Sequence, residues 1–278
     1  MKISLITACY NSAATIRTAI ESVLEQRNVE LEYIVVDGGS KDGTVDIVKE
    51  YASKPSGQRA AFAKATAAKL TTNDLSFKWL SERDRGMYDA INKGIAMATG
   101  DIVGILNADD VLASPDTLAH IAAAFKPGID ALYADIRFVR EGDSVEALRT
   151  AKTVRYCSAA KWKAWMFRFA AMVPHPSFYV RREWFGRLGG YSLDYRIASD
   201  FEFELRYLGM AGLRSAYIPK CVVIMRMGGV STAGWRSNVA INSEDLRALR
   251  AHGIWSCLPL IYLKYLFKIW GFVFRRNG

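Results

Sequence analysis

The chain has 278 residues, 51% of them hydrophobic and 23% charged, with a formal net charge of +9. Such a composition can bury a large core, and it excludes a disordered or low-complexity protein. Four dispersed cysteines without a CxxC pair argue against a disulfide framework or a zinc site, and three scattered histidines argue against a multi-histidine metal centre.

Lys2–Ala8 reads as a short apolar β-strand rather than a signal peptide. Asn11 or Ser12 can cap a helix running to about Gln26, with Ile16, Ile20, Val23 and Leu24 on one face. Leu31–Val36 is a second buried strand, and Lys41–Tyr51 a helix with Asp42 near its start. This β-α-β-α opening predicts an α/β fold with a mostly parallel central sheet and right-handed crossovers. Ser53–Asp74 is Ala- and Lys-rich and reads as an insertion. Leu75–Leu80 is a strand, Met87–Ala98 a helix and Asp101–Leu106 a strand. Pro115–Phe125 is a helix with Ser114 as its cap, and Ala131–Val139 a further strand. The second half is less regular. It holds a strand at Phe178–Val180, a helix over Ala198–Leu208, an apolar strand in Ser215–Met227 and a polar-faced helix over Ser237–Ala251. Charge is unevenly spread: residues 1–150 carry 17 Lys and Arg against 21 Asp and Glu, and residues 151–278 carry 20 against 7. An acidic half suits metal and nucleotide; a basic half suits phosphates or a membrane surface.

The strand Asp101–Leu106 ends in Asn107-Ala108-Asp109-Asp110. Ligands bind at the carboxyl edge of open α/β sheets. Carboxylates there suit a hard divalent cation, which in turn suits a diphosphate. Asp109 and Asp110 are adjacent, so their side chains diverge. The alternative is a capped loop before Pro115. Asp37 precedes Gly38-Gly39 and either caps a turn or accepts hydrogen bonds from a base or ribose. No GxGxxG or GxxxxGK[ST] occurs, which disfavours dinucleotide-binding and P-loop folds. Asp84 and Asn92, with nearby glycines, suit a loop and helix wrapped over a nucleotide, though an ordinary amphipathic helix would look similar. Asp200 begins a helix, where the dipole favours its anion, and shares a helical face with Glu204. It reads either as a cap or as a general base. His175 stands between Pro174 and Pro176, which fix the backbone around it.

Ile254–Phe274 is long enough to span a bilayer, but Lys264 and Lys268 make spanning costly. An interfacial helix is the expectation, with a buried terminal helix as the alternative. No stacking or helix-turn-helix pattern accompanies the basic charge, so nucleic acid is not expected as a partner.

Seven blocks appear in order: TACYNS (Thr7–Ser12), VVDGGSKDGT (Val35–Thr44), SERDRGMYDAINKG (Ser81–Gly94), ATGDIVGILNADD (Ala98–Asp110), HPSFYVRREWF (His175–Phe185), ASDFEFELR (Ala198–Arg206) and GGVS (Gly228–Ser231). Together they resemble glycosyltransferase family 2, the inverting enzymes with a GT-A (Rossmann-like) fold, and most closely bacterial enzymes of polysaccharide assembly. The resemblance implies a catalytic domain over 1–235, with a donor half to about 112 and an acceptor half beyond. Residues 236–278 would form a membrane-associating helical segment. It implies nucleotide contacts at Thr7, Ala8, Tyr10, Asp37, Gly39, Asp84, Asn92 and Asn107, metal on Asp109 and a general base at Asp200. His175, Asp110, Arg226 and Ser231 are candidate diphosphate or acceptor contacts. The implied partners are a nucleotide-sugar donor, with a UDP-sugar favoured, Mn²⁺ or Mg²⁺, and a saccharide or polyprenyl-diphosphate-linked acceptor. The implied location is the inner face of the cell membrane. Two departures stand out: Asn107 replaces the usual first acid of the DxD motif, and Ser199 replaces the frequent glutamate before the base. A nucleotidyltransferase would need a Gly-rich basic loop after the first strand, which TACYNSAAT lacks. A sugar-nucleotide-binding protein without turnover is the non-catalytic alternative.

Overall fold

A computed structural model describes residues 1–54, 75–228 and 235–264. The insertion expected at Ser53–Asp74, the candidate Ser231, and Lys268 with the rest of the expected interfacial helix therefore lie largely outside the described residues.

In chain order the elements are β1 (Lys2–Cys9), α1 (Ile16–Leu24), β2 (Glu30–Asp37), α2 (Thr44–Ala52), β3 (Leu75–Ser81), α3 (Met87–Met97), β4 (Ile102–Ile105), β5 (Val111–Leu112), α4 (Thr117–Ala124), β6 (Ala131–Val139), α5 (Val145–Thr150), β7 (Arg155–Cys157), β8 (Tyr179–Arg181), α6 (Glu183–Leu188), α7 (Ser199–Glu204), β9 (Ser215–Arg226) and α8 (Trp235–Ala251). One sheet runs in the order β3-β2-β1-β4-β8-β6-β9-β5, with β7 added at β6. The pairs β3–β2, β2–β1, β1–β4 and β6–β9 are parallel, whereas β8 is antiparallel to both β4 and β6. The mostly parallel α/β architecture is as expected.

Helices cover both faces, so β2 is buried at every position after its first, as a doubly covered strand must be. Ile16, Ile20 and Val23 of α1, Val48 and Tyr51 of α2, and Leu118 and Ile121 of α4 fill one face with Leu5, Tyr33 and Val35. Tyr88 and Ile91 of α3, Phe201 and Phe203 of α7, and Leu246 and Leu249 of α8 fill the other with Ile6, Ile34 and Val36. Glu32 sits fully buried on this second face. Burial alone would raise its pKa, but Lys78 (2.6 Å), Ser4 Oγ (2.5 Å) and Thr99 N (2.7 Å) hold the carboxylate down at about 2.

Several helices begin or end differently from expectation, among them α1, α4 and α7. Asn11 adopts a left-handed conformation (φ 48°), and a turn closed by Thr15 N to Ser12 O (3.0 Å) delays α1 to Ile16. Ser114 N donates to Thr117 Oγ1 (3.0 Å), which delays α4 to Thr117. After Glu204 the α-helix widens into a π-helical turn over Leu205–Met210. The segment 258–264 is helical, and Lys264 in it is only 7% exposed, paired with Asp245 Oδ2 at 2.7 Å. This lysine therefore faces the domain.

Candidate functional site

The carboxyl ends of β1, β2 and β3 meet at Asp37. Its Oδ2 accepts hydrogen bonds from Gly39 N (3.0 Å), Ser40 N (3.1 Å) and Ser81 Oγ (2.7 Å), and its Oδ1 accepts one from Ser40 Oγ. Gly39 takes φ 84°, which lets the chain turn back over the carboxylate. Asp37 therefore organises the turn, and the hydroxyls of Ser40 and Ser81 stand between it and solvent. Gly38 N donates to Cys9 O (2.9 Å) and Asn11 N to Ser40 Oγ (2.7 Å), so the loops after β1 and β2 form one rim. Burial, then Asp37, pushes the Cys9 thiol up to about 12, so it is no nucleophile.

Asp84 lies against this rim: a Cβ on Gly38 would overlap its Oδ2. Its Oδ1 accepts from Gly86 N (2.9 Å) at the start of α3. Tyr10, 60% exposed, projects from the end of β1, and half-buried Ala8 lies just inside it. Thr7 is turned inward instead. It is fully buried with its hydroxyl accepting from Tyr33 OH (3.0 Å).

After β4 the acidic loop sorts its two carboxylates. Asp109 is half-buried, and its carboxylate makes no hydrogen bond or ion pair with the described residues. Asp110 is 1% exposed and accepts from Asn107 Nδ2 (2.8 Å), and its Oδ1 is buried without a hydrogen bond. Burial, then the charge of Asp109, pushes the Asp110 carboxyl well above the usual carboxylate range. Arg226 binds the loop from β9 by donating to Asp109 O (3.0 Å), Thr18 Oγ1 (3.1 Å) and Gly142 O (2.9 Å). Asp110 and Arg226 thus support the loop from within, and Asn107 gives one amide N–H to Asp110. A divalent cation with a diphosphate needs only one or two protein carboxylates, because phosphate oxygens and water complete its shell. Asp109 fits that requirement. Among the described residues no three His, Cys, Asp or Glu side chains gather into a cage that would hold a metal alone.

Asp200 stands in the first turn of α7. Its Oδ1 accepts from Phe201 N (2.8 Å) and from Tyr88 OH (3.3 Å). Burial pushes this carboxyl up to about 6, while the Phe201 N–H and the Tyr88 hydroxyl pull it back. A carboxylate tuned near neutrality is suited to take a proton. The approach to α7 is held by Glu244 of α8, whose carboxylate accepts from Arg196 N (3.0 Å), Ile197 N (2.9 Å) and Ala198 N (2.9 Å).

Glu204, one turn beyond Asp200 and on the same face as expected, is fully buried. Its Oε2 accepts from Val173 N (3.1 Å), and its Oε1 faces His175 Nδ1 at 3.4 Å. The other ring nitrogen of His175 meets Tyr191 OH (3.1 Å). Burial raises the Glu204 carboxyl to about 7 against the opposing pull of His175. The His175 ring therefore lies between Glu204 and Tyr191. Asn92 is similarly committed: its amide donates to Tyr191 O and accepts from Tyr191 N, both at 2.8 Å. It clasps α3 to the loop before α7. Tyr88, Tyr191, Ser40, Ser81 and Glu244 escape the sequence reading. For Tyr88 a signal existed, since it shares the segment of Asp84; nothing in the spacing points to Glu244.

α3 thus connects two chemistries. Asp84 on the rim accepts from Gly86 N just before its first turn, and Tyr88 within that turn touches Asp200.

The family model for glycosyl transferase family 2 matches residues 4–189. A PGL/p-HBAD biosynthesis glycosyltransferase of Mycobacterium bovis is 28% identical over 249 residues, covering 88% of this chain and 83% of its own. An uncharacterized glycosyltransferase of Mycobacterium tuberculosis is 30% identical over 207 residues, covering 73% of this chain and 68% of its own. Among solved structures, S. aureus TarS 1-349 in complex with UDP-GlcNAc superposes with a TM-score of 0.59 at 20% identity, covering all of this chain and 74% of its own. A mannosyltransferase of Pyrobaculum calidifontis with GDP-Man and Mn²⁺ gives 0.58 at 22% identity, covering 98% and 72%. The chain spans 65% of TarS 1-349 in another crystal structure and 45% of the longer TarS chain.

Proposed function

The chain belongs to glycosyl transferase family 2, and from that footing we propose that it transfers one sugar, with inversion, from a nucleoside-diphosphate sugar to an acceptor hydroxyl. A UDP-sugar is the favoured donor. The observation that carries this reading is the tie between the donor rim and the base: Asp84 accepts from Gly86 N at the start of α3, and Tyr88 in the first turn of α3 is hydrogen-bonded to Asp200. In the reaction the acceptor oxygen attacks the anomeric carbon as Asp200 takes its proton. The bond from that carbon to the diphosphate breaks, and the nucleoside diphosphate leaves. The rim formed by Tyr10, Gly39, Ser40 and Asp84, with Asp37 behind it, holds the nucleotide. Mn²⁺ or Mg²⁺ held by Asp109 would supply Lewis-acid neutralisation of the leaving diphosphate.

The acceptor is read as a saccharide on a lipid carrier, in cell-surface polysaccharide assembly on the inner face of the membrane. The basic second half and the relative that acts in PGL/p-HBAD biosynthesis support that reading. A panel of nucleotide sugars with Mn²⁺ tests the donor: one or more UDP-sugars should raise the melting temperature and be hydrolysed slowly without acceptor. A panel that neither binds nor turns over would overturn the proposal.

A further inference from the structure

Two stretches of chain without a side-chain carboxylate meet on this fold. From Ala147 to Arg182 there are eight Lys and Arg and no Asp or Glu, and after Asp245 there is again neither acid. The Ser256 hydroxyl donates to Arg168 O (2.7 Å), fixing the start of the terminal segment against the 3-10 turn Ala164–Phe169. On that turn Trp165 is 61% exposed, with Lys161, Lys163 and Arg168 exposed beside it. On the terminal segment Trp255 is 72% exposed and Leu258 is exposed as well, while Ile261 and Lys264 face inward. The buried Lys264–Asp245 pair (2.7 Å) holds the inner side of that segment down, so its outer side is presented on a fixed base.

We propose that these two segments form one lipid-facing surface that seats the protein on a bilayer rich in anionic headgroups. An exposed tryptophan is costly in water and favourable at a headgroup boundary, where its ring is buried and its N–H stays wet. Three cations with no neighbouring acid in sequence add attraction to phosphate-bearing lipids, and their energy falls off within a Debye length, so they act only near the surface. Among the described residues no helix is long and apolar enough to cross a membrane, which leaves the plane of the interface as the place for these side chains. The proposal rests on the reading above of an enzyme acting on a lipid-linked acceptor, and gives that reading a physical surface. It also extends the surface beyond the terminal helix, to a turn about 90 residues earlier in the chain.

The test is sedimentation of the full chain with vesicles of phosphatidylcholine alone or mixed with phosphatidylglycerol. The wild type should bind the mixed vesicles and bind the neutral ones far less. Each cation contributes about fivefold, so K161Q/K163Q should weaken binding by about tenfold or more, and K161E/K163E further. W165S and W255S should each weaken it severalfold, with unchanged melting temperatures. Equal binding to both vesicle types overturns the proposal, as does wild-type binding by the Lys161/Lys163 variants. A W165S variant that sediments normally but has a raised acceptor KM would assign Trp165 to saccharide, and also overturns it. Hydrolysis of UDP-sugars by the same preparations reports the transferase reading separately: inactive wild type that still sediments would sink that reading and leave this surface standing.

Discussion

The Tyr88 hydroxyl lies 3.3 Å from Asp200 Oδ1 and 2.5 Å from Ile197 O, so one phenol from α3, with a single proton to donate, stands between the proposed base and the backbone that leads into its helix. Burial, then the nearby charge of Asp200, keeps that phenol protonated far above its ordinary range, and it remains a donor throughout.

Removing this donor should change the pH dependence in one direction. Asp200 works only when ionised, so activity should rise through about pH 6. The Tyr88 hydrogen bond favours the ionised form, and Tyr88→Phe should move the acidic limb to higher pH while leaving the alkaline plateau active. A pH profile of kcat/KM checks this; a limb that stays in place or moves to lower pH would contradict the role given to Tyr88.

Asp200→Asn should abolish transfer and yet stabilise the protein at neutral pH. The carboxyl is raised in the folded state, from 3.8 to about 6, so the folded protein binds that proton more tightly than the unfolded chain. Stability attributable to this group therefore falls as pH rises from about 3.8 to about 6, and the full cost is present above 6. A neutral amide of the same shape removes the cost. Thermal melting at pH 7.5 should favour the variant, and the advantage should vanish near pH 3.5. A variant that melts below the wild type at pH 7.5 would refute this assignment, as would near-normal turnover.

Asp109→Ala should weaken donor binding in Mn²⁺ by about tenfold or more and leave binding in chelator nearly unchanged, because it removes the one carboxylate offered to a cation. Asp110→Ala should act on stability instead, through the buried contact with Asn107. Calorimetry with and without metal separates the two; equal loss of donor affinity in both media for Asp109→Ala would count against metal there.

Asn92→Ala should destabilise the fold by about 2–4 kcal/mol, since it strands the backbone N–H and carbonyl of Tyr191 where both were paired. The urea midpoint should fall with the slope unchanged, and donor affinity at low temperature should hold. A large loss of donor affinity without loss of stability would return Asn92 to the nucleotide.

The sequence reveals much of the donor side because local order carries it. Apolar runs alternate with amphipathic helices, and the polar clusters fall where strands end, at Asp37 and Asp109. Adjacency also says that Asp109 and Asp110 diverge. It does not say which one is buried, because that depends on Arg226, more than 100 residues later, clamping Asp109 O. Around Asp200 the informative contacts are long-range. Glu244 secures the approach from 46–48 residues away, and Asn92 clasps Tyr191 across 99 residues. No local period encodes such pairs. His175 shows the same dependence, since its ring lies against Glu204 and Tyr191, contacts that its flanking prolines do not encode.

The pairing of β4 with β8, Ile102 opposite Arg181 and Val103 opposite Val180, has a consequence for the catalytic cycle. A cleft whose two sides belong to one hydrogen-bonded ladder has no hinge between them. Swinging the sides apart would break the ladder and the Asn92 clasp together. On the proposed function, donor entry and product release would then use local movement of segments outside that ladder.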